Sequence, residues 1–123
     1  MTLPTWMRRA LLATAVMNIG AAIAFFPAVH GLRSLAGFPE DGPPIYLATV
    51  SLFVLLFGLG YLWVGLSGRD ERLFLSMAAA GKISFVALLV AYWLAGDLPV
   101  GAPLAALGDL FFGVLFLKWL LVG

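Results

Sequence analysis

The chain contains no cysteine and only one histidine, His30. Without cysteine it cannot form disulfides, thiolate metal sites, thiol redox centres or iron–sulfur clusters. A single histidine cannot supply two haem ligands or a histidine-rich metal centre within one chain. We therefore predict no metal site and no cofactor that is bound through such ligands.

Charged residues are also scarce. They make up 11% of the 123 residues, of which 63% are hydrophobic, whereas soluble domains are about 25% charged. This composition indicates an integral membrane protein whose main partner is the lipid bilayer. The net charge of +1 provides no basic surface, so we predict no nucleic-acid partner. The length allows a single transmembrane domain over residues 1–123.

Four apolar stretches meet or approach the roughly 20 residues that a membrane-spanning helix needs. They cover about residues 10–28, 44–66, 73–95 and 103–122. Because backbone polar groups cannot be left without partners in lipid, each stretch is predicted to be helical. The predicted fold class is therefore all-α, an integral membrane bundle of four transmembrane helices.

The connection over residues 29–43 is longer than the other connections. Leu32, Leu35 and Ala36 lie in it at helical spacing. Two structures fit this pattern: a short amphipathic helix in the outer membrane interface, or an ordered turn.

The basic residues predict an orientation for the bundle. One side would hold both termini and the 67–72 loop, with five basic residues, whereas the other side would hold Arg33 alone. By the positive-inside rule, both termini are cytoplasmic and the protein is multi-pass (N-in/C-in). The five basic residues on the cytoplasmic side are Arg8, Arg9, Arg69, Arg72 and Lys118.

Two charged residues lie well inside the apolar segments, Lys82 in the third and Asp109 in the fourth, whereas Lys118 lies close to the end of the fourth. A charge at the centre of a spanning helix costs about 2.5–3.5 kcal/mol on insertion scales, so such residues usually face the bundle interior and are often functional. The helical rise gives Asn18 and Lys82 a similar depth, and it gives Ser51 and Asp109 another. We predict an intramembrane polar site formed by Lys82, Asp109, Asn18, Ser51 and Tyr61.

Whether Lys82 and Asp109 touch is left open by this arithmetic. Their backbones would be separated by about 8–10 Å along the membrane normal, and a lysine side chain reaches roughly 6 Å. They could form an ion pair that clasps two adjacent helices. Alternatively, they could line a path as separate groups that exchange protons.

Small residues accompany both charges. Ala78, Ala79, Ala80 and Gly81 precede Lys82, whereas Ala105, Ala106 and Gly108 precede Asp109, with Gly113 on the same helical face. Since small residues let membrane helices approach closely, we expect the third and fourth helices to touch here. Glycines and alanines on the first two helices provide similar surfaces, through which a homo-oligomer could form.

Catalytic motifs are lacking. The sequence has no Gly-rich phosphate loop, no Ser-His-Asp set and no carboxylate-rich cluster. The chain therefore has few residues from which a self-contained catalytic site could be built, and this favours a protein that is not an enzyme.

Five short motifs occur along the chain: Gly58-Leu59-Gly60-Tyr61, Arg69-Asp70-Glu71-Arg72, Gly81-Lys82, Gly96-Asp97 and Gly108-Asp109-Leu110-Phe111-Phe112. Together they resemble small bacterial four-helix membrane proteins of the broad DoxX-like kind, which are largely uncharacterised. The resemblance implies a bacterial inner-membrane location and a four-helix architecture. DoxX itself is associated with a terminal quinol oxidase as an accessory subunit, so the resemblance also implies a subunit role.

Three functions remain open from the sequence. The first is a non-catalytic accessory or structural subunit of a larger membrane complex that transduces energy, in which Lys82 and Asp109 lock the fold. The second is a small oligomeric proton-coupled transporter or pore lined by Asn18, Lys82 and Asp109. The third is a lipid- or quinone-binding membrane protein with a lateral pocket, in which Asn18, Tyr61 or Lys82 holds the polar end of the ligand.

Overall fold

The computed structural model describes residues 2–29, 31–39 and 42–122, so His30 lies outside the described residues. The regular structure in this part of the chain is helical, which confirms the all-α prediction. One isolated β-bridge joins Thr2 and Arg69. The helices are α1 (Thr5–Phe25), α2 (Gly31–Ala36), α3 (Pro44–Ser67), α4 (Arg72–Leu94), α5 (Gly101–Ala105) and α6 (Leu107–Val122).

Among the described residues, three helices are long and apolar enough to cross a membrane: α1 with 21 residues, α3 with 24 and α4 with 23. The prediction of a membrane protein with transmembrane helices is supported to that extent. Helix α6 has 16 residues, which corresponds to a length of about 24 Å. That length is shorter than a hydrocarbon core of about 30 Å.

The fourth predicted segment differs from a single helix over 103–122. Helix α5 begins earlier, at Gly101, and a turn at Ala106 separates it from α6. The Ala106 N–H bonds to the Pro103 carbonyl three residues back, at 3.1 Å, in the manner of a tight turn. Gly101, Pro103 and Gly108 are weak helix formers, which explains the interruption.

Helix α1 also differs from its predicted range of 10–28. It begins at Thr5 and ends at Phe25, where Phe26 adopts an extended conformation with φ −63° and ψ 134°. The residue before a proline avoids the helical region, so Pro27 explains this end. Helices α3 and α4 agree with the predicted 44–66 and 73–95 to within one residue at each end.

The long helices pack in two pairs. Helix α1 runs against α3, and α4 runs against α6, while α1 and α6 provide a smaller contact between the pairs. The two pairs meet through a fully buried core at the end that holds the N-terminus. Its largest members are Met7, Leu11, Tyr61, Leu75 and Phe116. The side chains of the helices fill the space between them in this half of the bundle.

The 29–43 connection contains a short helix, α2, which agrees with the helical part of the first alternative. Its polarity is unexpected, because Arg33 is buried whereas Leu35 is 84% exposed. Helix α2 packs on α5, and a Cβ at Gly101 would lie 3.0 Å from the Ala36 carbonyl oxygen. Helices α2 and α5 together form a cap, the α2/α5 cap, at the end of the bundle opposite the core.

Arginines stabilise three helix C-termini, where backbone carbonyls lack helical partners and the helix dipole is negative. Each arginine comes from a different helix and reaches one other helix end. Arg8 donates to Gly65 and Leu66 in α3, Arg33 to Ala24, Phe26 and Pro27 at the end of α1, and Arg72 to Leu120 in α6. These three arginines therefore have structural roles, which the positive-inside rule does not take into account.

Candidate functional site

Lys82 and Asp109 form an ion pair across the interface of α4 and α6. The Lys82 Nζ atom lies 2.7 Å from Asp109 Oδ1. The lysine side chain is 4% exposed and the aspartate side chain 23% exposed. The sequence left open whether Lys82 and Asp109 form an ion pair or line a path as separate groups. In the structure they form the ion pair.

Two further residues surround the Lys82 ammonium. It donates to Asn18 Oδ1 on α1 at 3.3 Å and lies 5.1 Å from the ring centroid of Tyr61 on α3, a distance typical of a cation–π contact. The Asn18 amide in turn donates to the Val54 carbonyl at 3.1 Å. Side chains from α1, α3, α4 and α6 therefore converge on one ammonium group.

Glycines bring these helices close enough for the contacts. A Cβ at Gly113 would lie 3.3 Å from Lys82 Cβ and 3.0 Å from Ile83 Cγ1. A Cβ at Gly58 would lie 3.1 Å from Asn18 Cβ. Small residues thus let the backbones approach closely beside Lys82 and beside Asn18, as expected for membrane helices. Gly81 differs, since a Cβ there would meet no atom within 4 Å.

Ser51 was predicted to belong to the same site, but it lies apart from the other four residues. Its hydroxyl donates to the Ala22 carbonyl at 2.6 Å and is buried between α3 and α1. Ser51 does not line the cavity described below. Depth arithmetic assigned its level in the membrane but did not consider which way its side chain faces.

A cavity of about 840 Å³ occupies the half of the bundle that the core leaves open. Its floor is formed by Asn18, Tyr61, Lys82 and Asp109, and it extends from there to the α2/α5 cap. Aromatic and aliphatic side chains cover its walls. They include Phe25, Phe53, Phe57, Phe85 and Leu89, while Leu32, Arg33, Leu35, Ala36, Gly101 and Leu104 line it at the cap.

The cavity is open to the surface of the bundle. Phe53 lines it and is 57% exposed, and Val50, one turn earlier on α3, lines it and is also exposed. Both residues belong to a helix that is apolar enough to cross a membrane. An apolar molecule could therefore enter from the side of the bundle.

Neither the α2/α5 cap nor the role of Arg33 was predicted from the sequence. Arg33 was treated as a surface charge, yet it is buried, holds the end of α1 and lines the cavity. The signal that could have revealed it was a single charged residue within the otherwise uncharged stretch 31–39. The Val54 carbonyl, which anchors Asn18, has no sequence signal because it is a backbone atom.

The side chains of this site supply both polar and apolar contacts. The floor offers an ion pair, an amide and an aromatic ring, and the walls offer apolar surface. Across residues 2–29, 31–39 and 42–122, no group of three or more His, Cys, Asp or Glu side chains could hold a metal ion. These groups can orient the polar end of a lipophilic molecule.

Comparison with known proteins returned no match: neither a protein-family model, nor a curated protein, nor a solved structure is similar to this chain. The proposed function therefore rests on the geometry of the cavity and its floor.

Proposed function

We propose that this protein binds a lipophilic molecule, a lipid or a quinone, in the cavity above the Lys82–Asp109 pair. The observation that supports this most directly is the cavity itself. Its volume of about 840 Å³ falls within the roughly 300–1,000 Å³ of small-molecule sites, which are mostly apolar with a few polar groups that fix orientation. The same description fits the walls and floor of this cavity.

The membrane topology is part of the proposal. We infer four spans, with α5 and α6 crossing as one interrupted helix, and both termini in the cytoplasm. Residues 101–122 would together reach about 33 Å, enough for a hydrocarbon core of about 30 Å. The positive-inside rule supports the orientation, and the DoxX-like resemblance supports the inner membrane of a bacterium. Ligand would then enter laterally from the lipid past Val50 and Phe53.

An accessory subunit role is compatible with this activity and is our second proposal. The Lys82–Asp109 contact supports it, because an ion pair at a helix interface is what a structural clasp requires. A larger membrane complex or a homo-oligomer would be the setting in which the bound molecule is used. The pore hypothesis is supported less, because Tyr61, Leu75 and Phe116 are fully buried below the ion pair and close that half of the bundle.

Filling the cavity tests the binding function. In Gly81→Phe the new side chain would begin in open space at the cavity wall, so we expect the purified protein to lose most of its co-purifying lipophilic molecules. Ala80→Phe is the matched control, because Ala80 is its neighbour, is exposed and does not line the cavity.

Native mass spectrometry of the detergent-purified proteins counts the bound molecules. Equal retention by the wild type and by Gly81→Phe, with both proteins folded, would contradict the proposal. Loss from Ala80→Phe to the same extent would also contradict it, since that substitution leaves the cavity empty.

A further inference from the structure

The two charges of the ion pair face the cavity unequally. The Lys82 side chain is 4% exposed and the Asp109 side chain 23% exposed, and both residues line the cavity. The lysine is therefore the inner member of the pair and the carboxylate is the outer one. A molecule in the cavity can contact both residues, and the aspartate is the more accessible of the two.

The Lys82 ammonium has little hydrogen-bonding capacity left for a ligand. An ammonium has three donors, and two of them are directed to Asp109 Oδ1 and Asn18 Oδ1. The Tyr61 ring lies on a further side of the ammonium, 5.1 Å away. The lysine is thus surrounded by partners from its own protein.

The Asp109 carboxylate retains acceptor capacity. An ionised carboxylate has two oxygens and accepts several hydrogen bonds. Only Lys82 donates to it among the residues that the structure describes, and it does so through Oδ1. The Asp109 carboxylate at the floor of the cavity can therefore accept a hydrogen bond from a donor group of the ligand.

The charge of the ligand's polar end, where that end lies at the floor of the cavity, follows from the neutrality of the Lys82–Asp109 pair. Arg33, which also lines the cavity, lies at the cap and donates to the carbonyls of Ala24, Phe26 and Pro27. An anionic head group would face the outer carboxylate, which repels it. A cationic head group would leave one net positive charge in an apolar cavity, and an uncompensated buried charge is costly. A neutral donor satisfies the carboxylate and leaves the local charge at zero.

We infer that the ligand of this cavity is a neutral lipid that carries a hydroxyl group at its polar end, which donates to the Asp109 carboxylate while the chain lies along the apolar walls. The inference rests on the proposed binding function and narrows it to one class of ligand. By the same chemistry, an acceptor-only head group, such as that of an oxidised quinone, binds less well than a hydroxyl.

Competition among four probes of equal chain length tests this ligand class. Oleyl alcohol, oleic acid, oleylamine and oleyl methyl ether share one apolar chain and differ at the head group. Native mass spectrometry of the full-length protein, equilibrated with equal amounts of all four, measures their relative occupancy. We expect the alcohol to exceed the methyl ether by about tenfold, since the ether cannot donate to a charged acceptor.

Two variants test whether the preference for the alcohol comes from the Asp109 carboxylate. In the double variant Lys82→Met/Asp109→Leu, the alcohol and the methyl ether should bind equally, whereas Asp97→Leu, which removes an exposed carboxylate outside the cavity, should retain the alcohol preference. If the wild type favours the acid, the amine or the ether, the inferred class is wrong but the binding function stands. If the wild type binds no probe, the binding function itself is overturned.

Discussion

Asn18 and Lys82 lie 64 residues apart in the sequence and share a hydrogen bond of 3.3 Å inside the bundle. This contact joins the α1/α3 pair to the α4/α6 pair at the level where the core ends and the cavity begins. Because Asn18 also donates to the Val54 carbonyl, a single amide links three helices. The polar floor of the cavity is therefore also a structural joint.

The first prediction concerns that joint. Asn18→Leu removes both hydrogen bonds and leaves the Val54 carbonyl without its partner, so we expect the free energy of unfolding to fall by about 1–3 kcal/mol. Unfolding of the detergent-purified protein in increasing SDS, followed by circular dichroism, measures the change. Thr49→Val is the control, because the Thr49 hydroxyl is exposed and bonds only to Ile45 within its own helix. An Asn18→Leu protein as stable as this control would contradict the linking role.

The second prediction concerns the ion pair. Lys82→Met or Asp109→Leu alone leaves one buried charge without its partner, so each should cost about 3–5 kcal/mol of unfolding free energy. The double variant removes both charges and should recover most of that loss. The same SDS titration measures the coupling between the two changes, as a double-mutant cycle.

A surface pair provides the matched cycle. Arg69 and Glu71 approach to 3.6 Å but their side chains are 75% and 49% exposed. Their coupling in Arg69→Met/Glu71→Leu should stay below about 1 kcal/mol. If the Lys82–Asp109 coupling is equally small, the pair does not clasp the helices.

Much of this architecture could be predicted from composition and hydropathy, because the cost of exposing backbone groups in lipid leaves helices as the available structure. The bounds of α3 and α4 were predicted to within a residue, since proline, glycine and charged residues mark their ends. The small residues beside Lys82 likewise indicated a close contact, which Gly113 provides.

What could not be predicted depends on side-chain direction and on backbone atoms. Ser51 and Asp109 were predicted to lie at the same depth, yet Ser51 faces α1 and donates to the Ala22 carbonyl. The cavity is lined by residues from every helix, and no local sequence pattern encodes how far apart the helices lie. The inward direction of Arg33 depends on the free carbonyls at the end of α1, which become acceptors only after the helix has formed.

The third prediction compares Gly113, at the α4–α6 interface, with Gly81, on the cavity wall. Gly113→Leu would drive a side chain into Ile83 and Lys82, so overpacking should cost about 1–3 kcal/mol of unfolding free energy. Gly81→Ala adds a methyl group in open space and should raise stability by up to about 1 kcal/mol through helix propensity. Thermal unfolding in detergent ranks both variants against the wild type. A stable Gly113→Leu protein would mean that α4 and α6 do not need this close approach.

The fourth prediction separates two adjacent arginines. Arg8 donates to the Gly65 and Leu66 carbonyls at 3.0 and 2.8 Å, so Arg8→Met should lower the free energy of unfolding by about 1–2 kcal/mol. Arg9→Met removes the same charge one residue later, at an exposed position, and should change stability little. Equal effects of the two substitutions in a thermal unfolding experiment would show that net charge matters and the helix-end contact does not.

The last prediction tests the proposed topology, for which the absence of cysteine is an advantage. Every single-cysteine variant carries only one thiol, so its labelling reports one position. We expect a membrane-impermeant maleimide to label Asp97→Cys in intact cells, and to label Ser67→Cys and Leu121→Cys only after the membrane is permeabilised. All three positions are exposed at or near helix ends. Labelling of Leu121→Cys in intact cells, with Ser67→Cys protected, would mean that α5 and α6 do not cross the membrane. Protection of Asp97→Cys together with labelling of Ser67→Cys would mean that the orientation is inverted.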